Sequence, residues 1–278
     1  MSAGASIAAL GALIAANAAI AGASRNTGPI VVKLGGRTQS DPALPDALAS
    51  MWRATGGQLV VVHGGGDQIS ALQRLRGEEP VFVGGRRVTT DIALELVRMV
   101  LSGLANKQLV SALTAAGAPA VGISGEDNGL LRARPIDVET FGHSGTPTSV
   151  DARLMQALLA QEFLPVISPV ATHDDVSIGG ALNVNGDDAA AAIAAALNAN
   201  ELFLMADVPG VLDGAKQRVD RMTLEQAHAL VASGVAGGGM AAKLEACERA
   251  LVGGVAIVRI GDLAAMSDRD AGTRVTIR

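Results

Sequence analysis

The chain has 278 residues, 49% of them hydrophobic and 18% charged, with a formal net charge of −5; this is enough apolar material for one large α/β domain or two modest lobes, and it excludes a disordered chain. Aromatic residues make up only 2%, with no Tyr, and the pI is about 5.4, which argues against a nucleic-acid surface built on stacking rings or a basic groove. Cys247 is the one cysteine, so an intrachain disulfide framework and a multi-cysteine metal site are excluded.

Residues 1–28 form an Ala-rich extension, uncharged over 3–23. Ala and Gly contribute little insertion energy and Asn17 interrupts the run, so no membrane span is expected. Ala21-Gly22-Ala23 resembles a cleavage site, but no Lys or Arg precedes Arg25 to make a signal-peptide n-region. The expectation is a helical extension of a cytoplasmic protein, with Ile7, Leu10, Leu13, Ile14 and Ile20 near one face that needs a partner surface. The alternative is a mobile tail.

Beyond it, short apolar runs alternate with helical periodicity. Pro29–Leu34 reads as a strand ending in Gly35-Gly36, followed by a helix over 42–55. Gln58–His63 is a second strand, ending in Gly64-Gly65-Gly66, and 67–76 is a helix. Residues 89–116 are strongly helical. Ala118–Ile123 is a strand, 150–161 a helix, Leu164–Ile167 a strand and 187–199 an Ala-rich helix. Glu201–Ala206 is a strand before Asp207-Val208-Pro209-Gly210, 223–233 and 240–252 are helices, and Ala256–Ile260 is a strand. Continuous apolar runs between helices signal parallel strands buried on both faces, hence an α/β chain with a doubly wound sheet.

Most of the Gly-rich turns follow strands, and Gly237–Gly239 precedes a helix. Ligands of open α/β sheets bind at the carboxyl ends of the strands, where glycine lets backbone N–H groups approach an anion. Several such turns point to a multi-anionic ligand, with phosphates as the first guess. The P-loop, the G-x-G-x-x-G fingerprint, the protein-kinase set and the G-x-S-x-G elbow are all absent. The four histidines are scattered, with no metal-ligating pattern, and His143 and His173 read as solvated loop residues. Lys33 is out of place in a buried apolar run unless its ammonium meets an anion. Lys243, placed in the first turn of its helix, opposes the helix dipole unless an anion lies nearby. Asp187 either caps its helix or holds one or both lysines.

At this point the residues resemble a family. VVKLGG (31–36), VVHGGG (61–66), GRRVT (85–89), LANK (104–107), GALNVNGD (180–187), ADVPGVLD (206–213), GGGMAAKLEACERAL (237–251) and AGT (271–273) are similar to segments of the amino-acid kinase superfamily, and within it the N-acetylglutamate kinases. The resemblance covers about residues 29–278. It implies a three-layer α-β-α sandwich with a mainly parallel central sheet, an amino-acid-substrate lobe over 29–180 and a nucleotide-binding lobe over 181–278. It implies ATP-dependent phosphorylation of the side-chain carboxylate of an N-acylated glutamate, with ATP and Mg²⁺ as the donor and no dedicated metal ligands. Lys33 and Lys243 take the places of transition-state-stabilising lysines, and Asp187 that of the aspartate ordering them. Gly65, Gly66, Arg87 and Asn183 take the substrate-binding places. Gly35, Gly36, Asp207, Val208, Pro209, Gly210, Val211, Leu212, Val235, Ala236 and Gly237 fall at nucleotide-binding places. The implied partners are a small acidic amino-acid substrate and further copies of the chain, as a homodimer or a dimer-based hexamer, with no nucleic acid and no membrane.

The chemistry agrees with those roles. A carboxylate is ionised at pH 7 and needs no general base, whereas two mutually repelling anions need alignment and charge neutralisation. Gly186 stands where the acetylglutamate enzymes often carry Ala, and relatives acting on carrier-linked aminoadipate resemble the chain there. The alternatives are therefore a kinase for N-succinylglutamate or aminoadipate, and a non-catalytic ligand sensor on the same fold.

Overall fold

A computed structural model describes residues 28–35 and 39–278. Gly36 and the apolar stripe of the N-terminal extension lie outside the described residues.

The chain begins with β1 (Ile30–Leu34), α1 (Leu44–Ala54), β2 (Leu59–His63) and α2 (Gly66–Leu75). A hairpin of β3 (Phe82–Val83) and β4 (Arg86–Arg87) precedes a long helical segment: α3 (Asp91–Val97), a π-helical stretch over Arg98–Ala105, and α4 (Asn106–Ala115). Then come β5 (Ala120–Ser124), β6 (Leu131–Pro135), α5 (Val138–Phe141), β7 (Ser144–Val150), α6 (Arg153–Ala160), β8 (Leu164–Ser168), β9 (Val170–His173) and β10 (Ala181–Val184). The last part runs α7 (Gly186–Ala196), β11 (Glu201–Met205), β12 (Arg221–Thr223), α8 (Leu224–Ala232), α9 (Gly238–Val252), β13 (Ile257–Gly261), α10 (Leu263–Ser267) and β14 (Thr273–Thr276).

Eight strands form one sheet in the order β12-β14-β13-β11-β1-β2-β8-β5. Every neighbouring pair is parallel except β13 with β14. The central pair, β1 and β11, joins strands from the two halves of the chain, with Lys33 opposite Leu204. Successive residues of β1 enter opposite layers, as the period of a strand requires. Ile30, Val32 and Leu34 pack with Leu44 and Leu48 of α1 and Leu113 of α4. Val31 packs on the other face with Ala190, Ile193 and Ala194 of α7 and Leu244, Cys247 and Leu251 of α9. This is the three-layer sandwich, and it puts Lys33, two residues after Val31, on the α7–α9 face. The alanines of α7 keep that layer thin, so the helix lies close to the sheet.

The expected strands and helices are all present, with shifts of a few residues at their ends. Residues 124–150 and 168–186, for which no strand was expected, hold β6, β7, β9 and β10, which close into a small barrel. Leu131 and Ala133 alternate with Arg132 and Arg134 over only a few residues before Pro135, and Pro147 interrupts β7, so these short strands carry no continuous apolar run. The segment expected as one helix over 89–116 carries the π-helical stretch in its middle, a feature that often marks functional sites. Among the described residues no helix is long and apolar enough to cross a membrane.

Candidate active site

The carboxyl ends of the central strands carry a buried charge cluster. Lys33 is the fourth residue of β1 and only 8% exposed. An ammonium there must find a counter-charge, and Asp187, 5% exposed, supplies it: Lys33 Nζ lies 2.9 Å from Asp187 Oδ1. Lys243 Nζ donates to the same Oδ1 at 3.0 Å and to Oδ2 at 3.2 Å. One carboxylate thus holds two ammonium groups, and the cluster keeps a net charge of +1 when all three are ionised. Burial alone would raise the Asp187 pKa, but the charges and hydrogen bonds of Lys33 and Lys243 outweigh it and hold it below the usual carboxylate value. Burial, followed by the charge of Lys33, pulls the Lys243 pKa down, and Asp187 opposes that fall.

Local structure explains the convergence. Asn185, not Asp187, is the N-cap of α7; its side chain accepts from the backbone N–H of Asp187 and Asp188. Asp187 is thereby released for the lysines. Lys243 sits in the second turn of α9, not the first, because the helix begins at Gly238. The end-dipole has faded at that depth, so its ion pair with Asp187 is what accounts for it. At Gly35 an added Cβ would lie 2.5 Å from Lys33 Nζ, so a side chain there would displace that ammonium from its place beside Asp187.

Beside the cluster, Gly64, Gly65 and Gly66 lead into α2 and border a cleft also lined by Arg86, Arg87, Asn183 and Gly186. Arg87 is buried rather than a surface hairpin residue. Its Nη2 donates to Gly66 O and to Ser70 Oγ, each at 2.9 Å, its Nη1 donates to Gln73 Oε1, and the guanidinium lies over the Phe82 ring at 4.7 Å. Both Nη2 hydrogens are spent on the protein, so an end-on fork across Nη1 and Nη2 is not open in this arrangement. Asn183 Nδ2 donates to Thr89 Oγ1 at 2.9 Å, which leaves Oδ1 as the acceptor for a ligand N–H. The hydroxyls of Thr89 and Ser144 lie 2.9 Å apart; Thr89 closes the GRRVT segment but the sequence gave it no role, and nothing in the local pattern marks Ser144.

The residues expected on the nucleotide side lie on the same edge. Asp207–Leu212 follow β11 and Val235–Gly237 precede α9. Val211 and Ala236 are buried, and Asp207, Val235 and Gly237 are exposed. The AGT segment acquires a role here: buried Thr273 accepts from Val211 N–H at 2.7 Å and donates to Val219 O at 2.6 Å, stitching the 207–212 loop to β14. Gly210 lies so close that a Cβ would be 2.6 Å from Thr273 Oγ1.

One histidine expectation is corrected and one holds. His173 ends β9 with a largely buried side chain whose Nδ1 accepts from Asp175 N–H at 3.0 Å. His143 is the turn residue expected, partly exposed just before β7, and its Nε2 is 2.6 Å from Asp91 Oδ1. Neither touches the cluster.

Known proteins match this architecture. Residues 28–262 match the model of the amino acid kinase family. The acetylglutamate kinase of Azorhizobium caulinodans is 38% identical over 270 residues, covering 89% of each chain. The crystal structure of smu.665 from Streptococcus mutans superposes with a TM-score of 0.80 at 28% identity, over 90% of this chain and 98% of that one. Carbamate kinase from Giardia lamblia bound to AMP-PNP superposes with a TM-score of 0.71 over 90% of this chain and 98% of that one, and at 15% identity it speaks for the fold alone. The chain belongs to the amino acid kinase family and, within it, to the acetylglutamate kinases.

Proposed function

We propose that the chain transfers the γ-phosphoryl group of ATP to the side-chain carboxylate of N-acetyl-L-glutamate, a step of arginine biosynthesis. A carboxylate oxygen forms the new bond to phosphorus, the bond to the β–γ bridging oxygen breaks, and ADP leaves with that electron pair. The observation that carries the reading is one buried carboxylate, Asp187, between two buried ammonium groups. A net positive cluster beside a glycine turn suits a reaction that brings two anions together and needs no base.

In this reading Lys33 and Lys243 neutralise the transferring group and Asp187 holds them at a fixed spacing. Gly65, Gly66, Arg87 and Asn183 receive the amino acid. The Asn183 carbonyl takes the amide N–H of the acyl group, and Arg87 grips the α-carboxylate with the donors its protein partners leave over. Asp207–Leu212 and Val235–Gly237, with Gly35 and Gly36 at the phosphates, receive the nucleotide. Among the described residues no three His, Cys, Asp or Glu side chains cluster to hold a metal. Mg²⁺ would come with ATP, as is usual for this ion, and would supply positive charge to the phosphates. Residues 29–180 then form the amino-acid lobe and 181–278 the nucleotide lobe of a cytoplasmic homodimer or dimer-based hexamer. Exposed Ile92, Met99 and Leu104 along the long helical segment support an assembly face.

A coupled ADP-release assay across N-acetylglutamate, N-succinylglutamate, glutamate and aspartate tests the reading, with hydroxylamine trapping the acyl phosphate. The expected result is the highest kcat/KM on N-acetylglutamate. No ADP release with it, or a clear preference for another acid, overturns the assignment.

A further inference from the structure

His63 closes β2 and is fully buried, yet the chemistry above does not use it. Its Nδ1 lies 2.9 Å from the carbonyl oxygen of Gly64, and its Nε2 lies 3.1 Å from Nδ2 of Asn106. Asn106, also fully buried, is the first residue of α4, where the π-helical stretch ends. The surroundings of Asn106 leave its amide one orientation. Nδ2 faces Val166 O at 3.0 Å and Ile123 O at 3.4 Å, both acceptors, while Oδ1 faces Lys107 Nζ at 3.1 Å, a donor. Lys107 is itself anchored on Gly122 O at 2.9 Å. Turning the amide over would set NH₂ against an ammonium and a carbonyl against two carbonyls.

An NH₂ group can only donate, so His63 Nε2 must present a lone pair. The ring proton then belongs on Nδ1, from which it is donated to Gly64 O. Burial first, and the charge of Lys107 to a smaller extent, lower the His63 pKa and keep the ring neutral, against the opposing effect of the Gly64 bond. The Gly64 carbonyl and the Gly65 N–H share one rigid trans peptide plane and point opposite ways. Whatever fixes the first therefore aims the second. The π-helical stretch also packs onto the next residue: a Cβ on Gly65 would be 2.7 Å from Leu101 Cδ2. One irregular turn of helix thus delivers both Leu101 to Gly65 and Asn106 to His63.

We infer that His63 and Asn106 are positioning residues: Asn106 sets the tautomer of His63, and the His63 Nδ1–H fixes the Gly64–Gly65 peptide so that its N–H meets the anionic substrate. The inference rests on the reading of Gly65 and Gly66 as substrate-binding. It explains why the helix leaves the α form there, and it gives LANK a chemical task.

The test compares two neutral replacements in the full-length protein, with N-acetyl-L-glutamate and MgATP as probes. His63→Asn keeps an N–H donor near the Nδ1 position, whereas His63→Gln keeps an acceptor near Nε2 and loses that donor. The Gln variant is expected to raise KM for N-acetylglutamate about tenfold or more, the worth of one hydrogen bond to a charged group, with KM for ATP unchanged. The Asn variant is expected to stay within about threefold of wild type. A purely structural role lowers the active fraction and the melting temperature without moving KM; that outcome, or equal KM values for both variants, overturns the inference. Long-range ¹H–¹⁵N spectra of the wild-type histidines give an independent reading even if a variant fails to fold. A buried ring with protonated Nδ1 and bare Nε2 supports the inference, and a protonated Nε2 refutes it. Wild-type protein inactive on N-acetylglutamate would refute the proposed substrate instead, leaving the tautomer measurement to decide this point alone.

Discussion

Asp187→Asn is the most informative perturbation of the cluster. The change is isosteric, keeps an acceptor for a lysine and removes only the charge. At 2.9 and 3.0 Å, each ion pair is worth about 5.5 kcal/mol of gross Coulomb attraction at an effective dielectric of about 20. Desolvation consumes much of that in the wild type, but removing one partner of a buried pair still costs about 3–5 kcal/mol. Two ammonium groups then face each other across a neutral amide. The expected loss in kcat is about 10²–10³-fold, the scale for removing one preorganised charge contact. Lys243 gives a sharper readout. Its pKa is already lowered by burial and by Lys33, and Asp187 is what opposes that fall. Without Asp187 the ammonium loses its proton at lower pH, so the alkaline limb of the kcat profile moves toward neutrality. A coupled ADP-release assay between pH 6 and 10 measures both effects. A variant with kcat within about threefold of wild type and an unmoved alkaline limb refutes the assignment of the triad. Stability supplies a cross-check. The folded pKa of Asp187 is depressed, so its contribution is present above the unfolded carboxylate pKa and disappears as pH falls through the folded value. The acid arm of the variant's stability curve should be flatter than that of the wild type in chemical denaturation.

Lys33→Ala and Lys243→Ala should each lower kcat by at least about 10²-fold with a smaller change in either KM; near-normal kcat in steady-state assays would remove that lysine from the transition state. Arg87→Lys keeps the charge and loses the planar donors that Gln73, Gly66 and Ser70 hold, so KM for the amino acid should rise while KM for ATP stays put; a defect confined to ATP would move Arg87 to the nucleotide side. Thr273→Val deletes the hydroxyl that accepts from Val211 N–H and should raise KM for ATP several-fold, about the worth of one hydrogen bond, with the amino-acid KM unchanged. A matched rise in both constants would show that Thr273 supports the whole sheet edge and not the loop.

What could be read from sequence depended on whether a residue contradicted its local surroundings. Lys33 did, as a cation inside IVVKL, and the ion pair with Asp187 is the answer to that contradiction. The parallel strands were legible because burial on both faces writes an uninterrupted apolar run. The barrel of β6, β7, β9 and β10 was not, because its strands are short and each is interrupted by polar residues or proline. His63, Thr89 and Asn106 lie in the VVHGGG, GRRVT and LANK segments, but neither those segments nor the surroundings of Ser144 give these four a task. Their partners are 43 and 55 positions away for the pairs His63–Asn106 and Thr89–Ser144, and a single sequence carries no signal that joins such positions. The position of Lys243 was read one turn too early because three glycines blurred the start of its helix.

The pairing of β1 with β11 has a consequence for the chain while it is being made. β2 follows β1 closely in sequence, but Glu201–Met205 emerges only some 170 residues after Ile30, so one edge of β1 stays open throughout that interval. An open edge of Val, Ile and Leu is a template for association with another nascent chain. Lys33 stands on that strand with no counter-ion until Asp187 has been synthesised. A charge on an unpaired strand, lysine especially, is one of the natural guards against edge-to-edge aggregation. A neutral residue in place of Lys33 should therefore reduce soluble yield, separately from any effect on turnover.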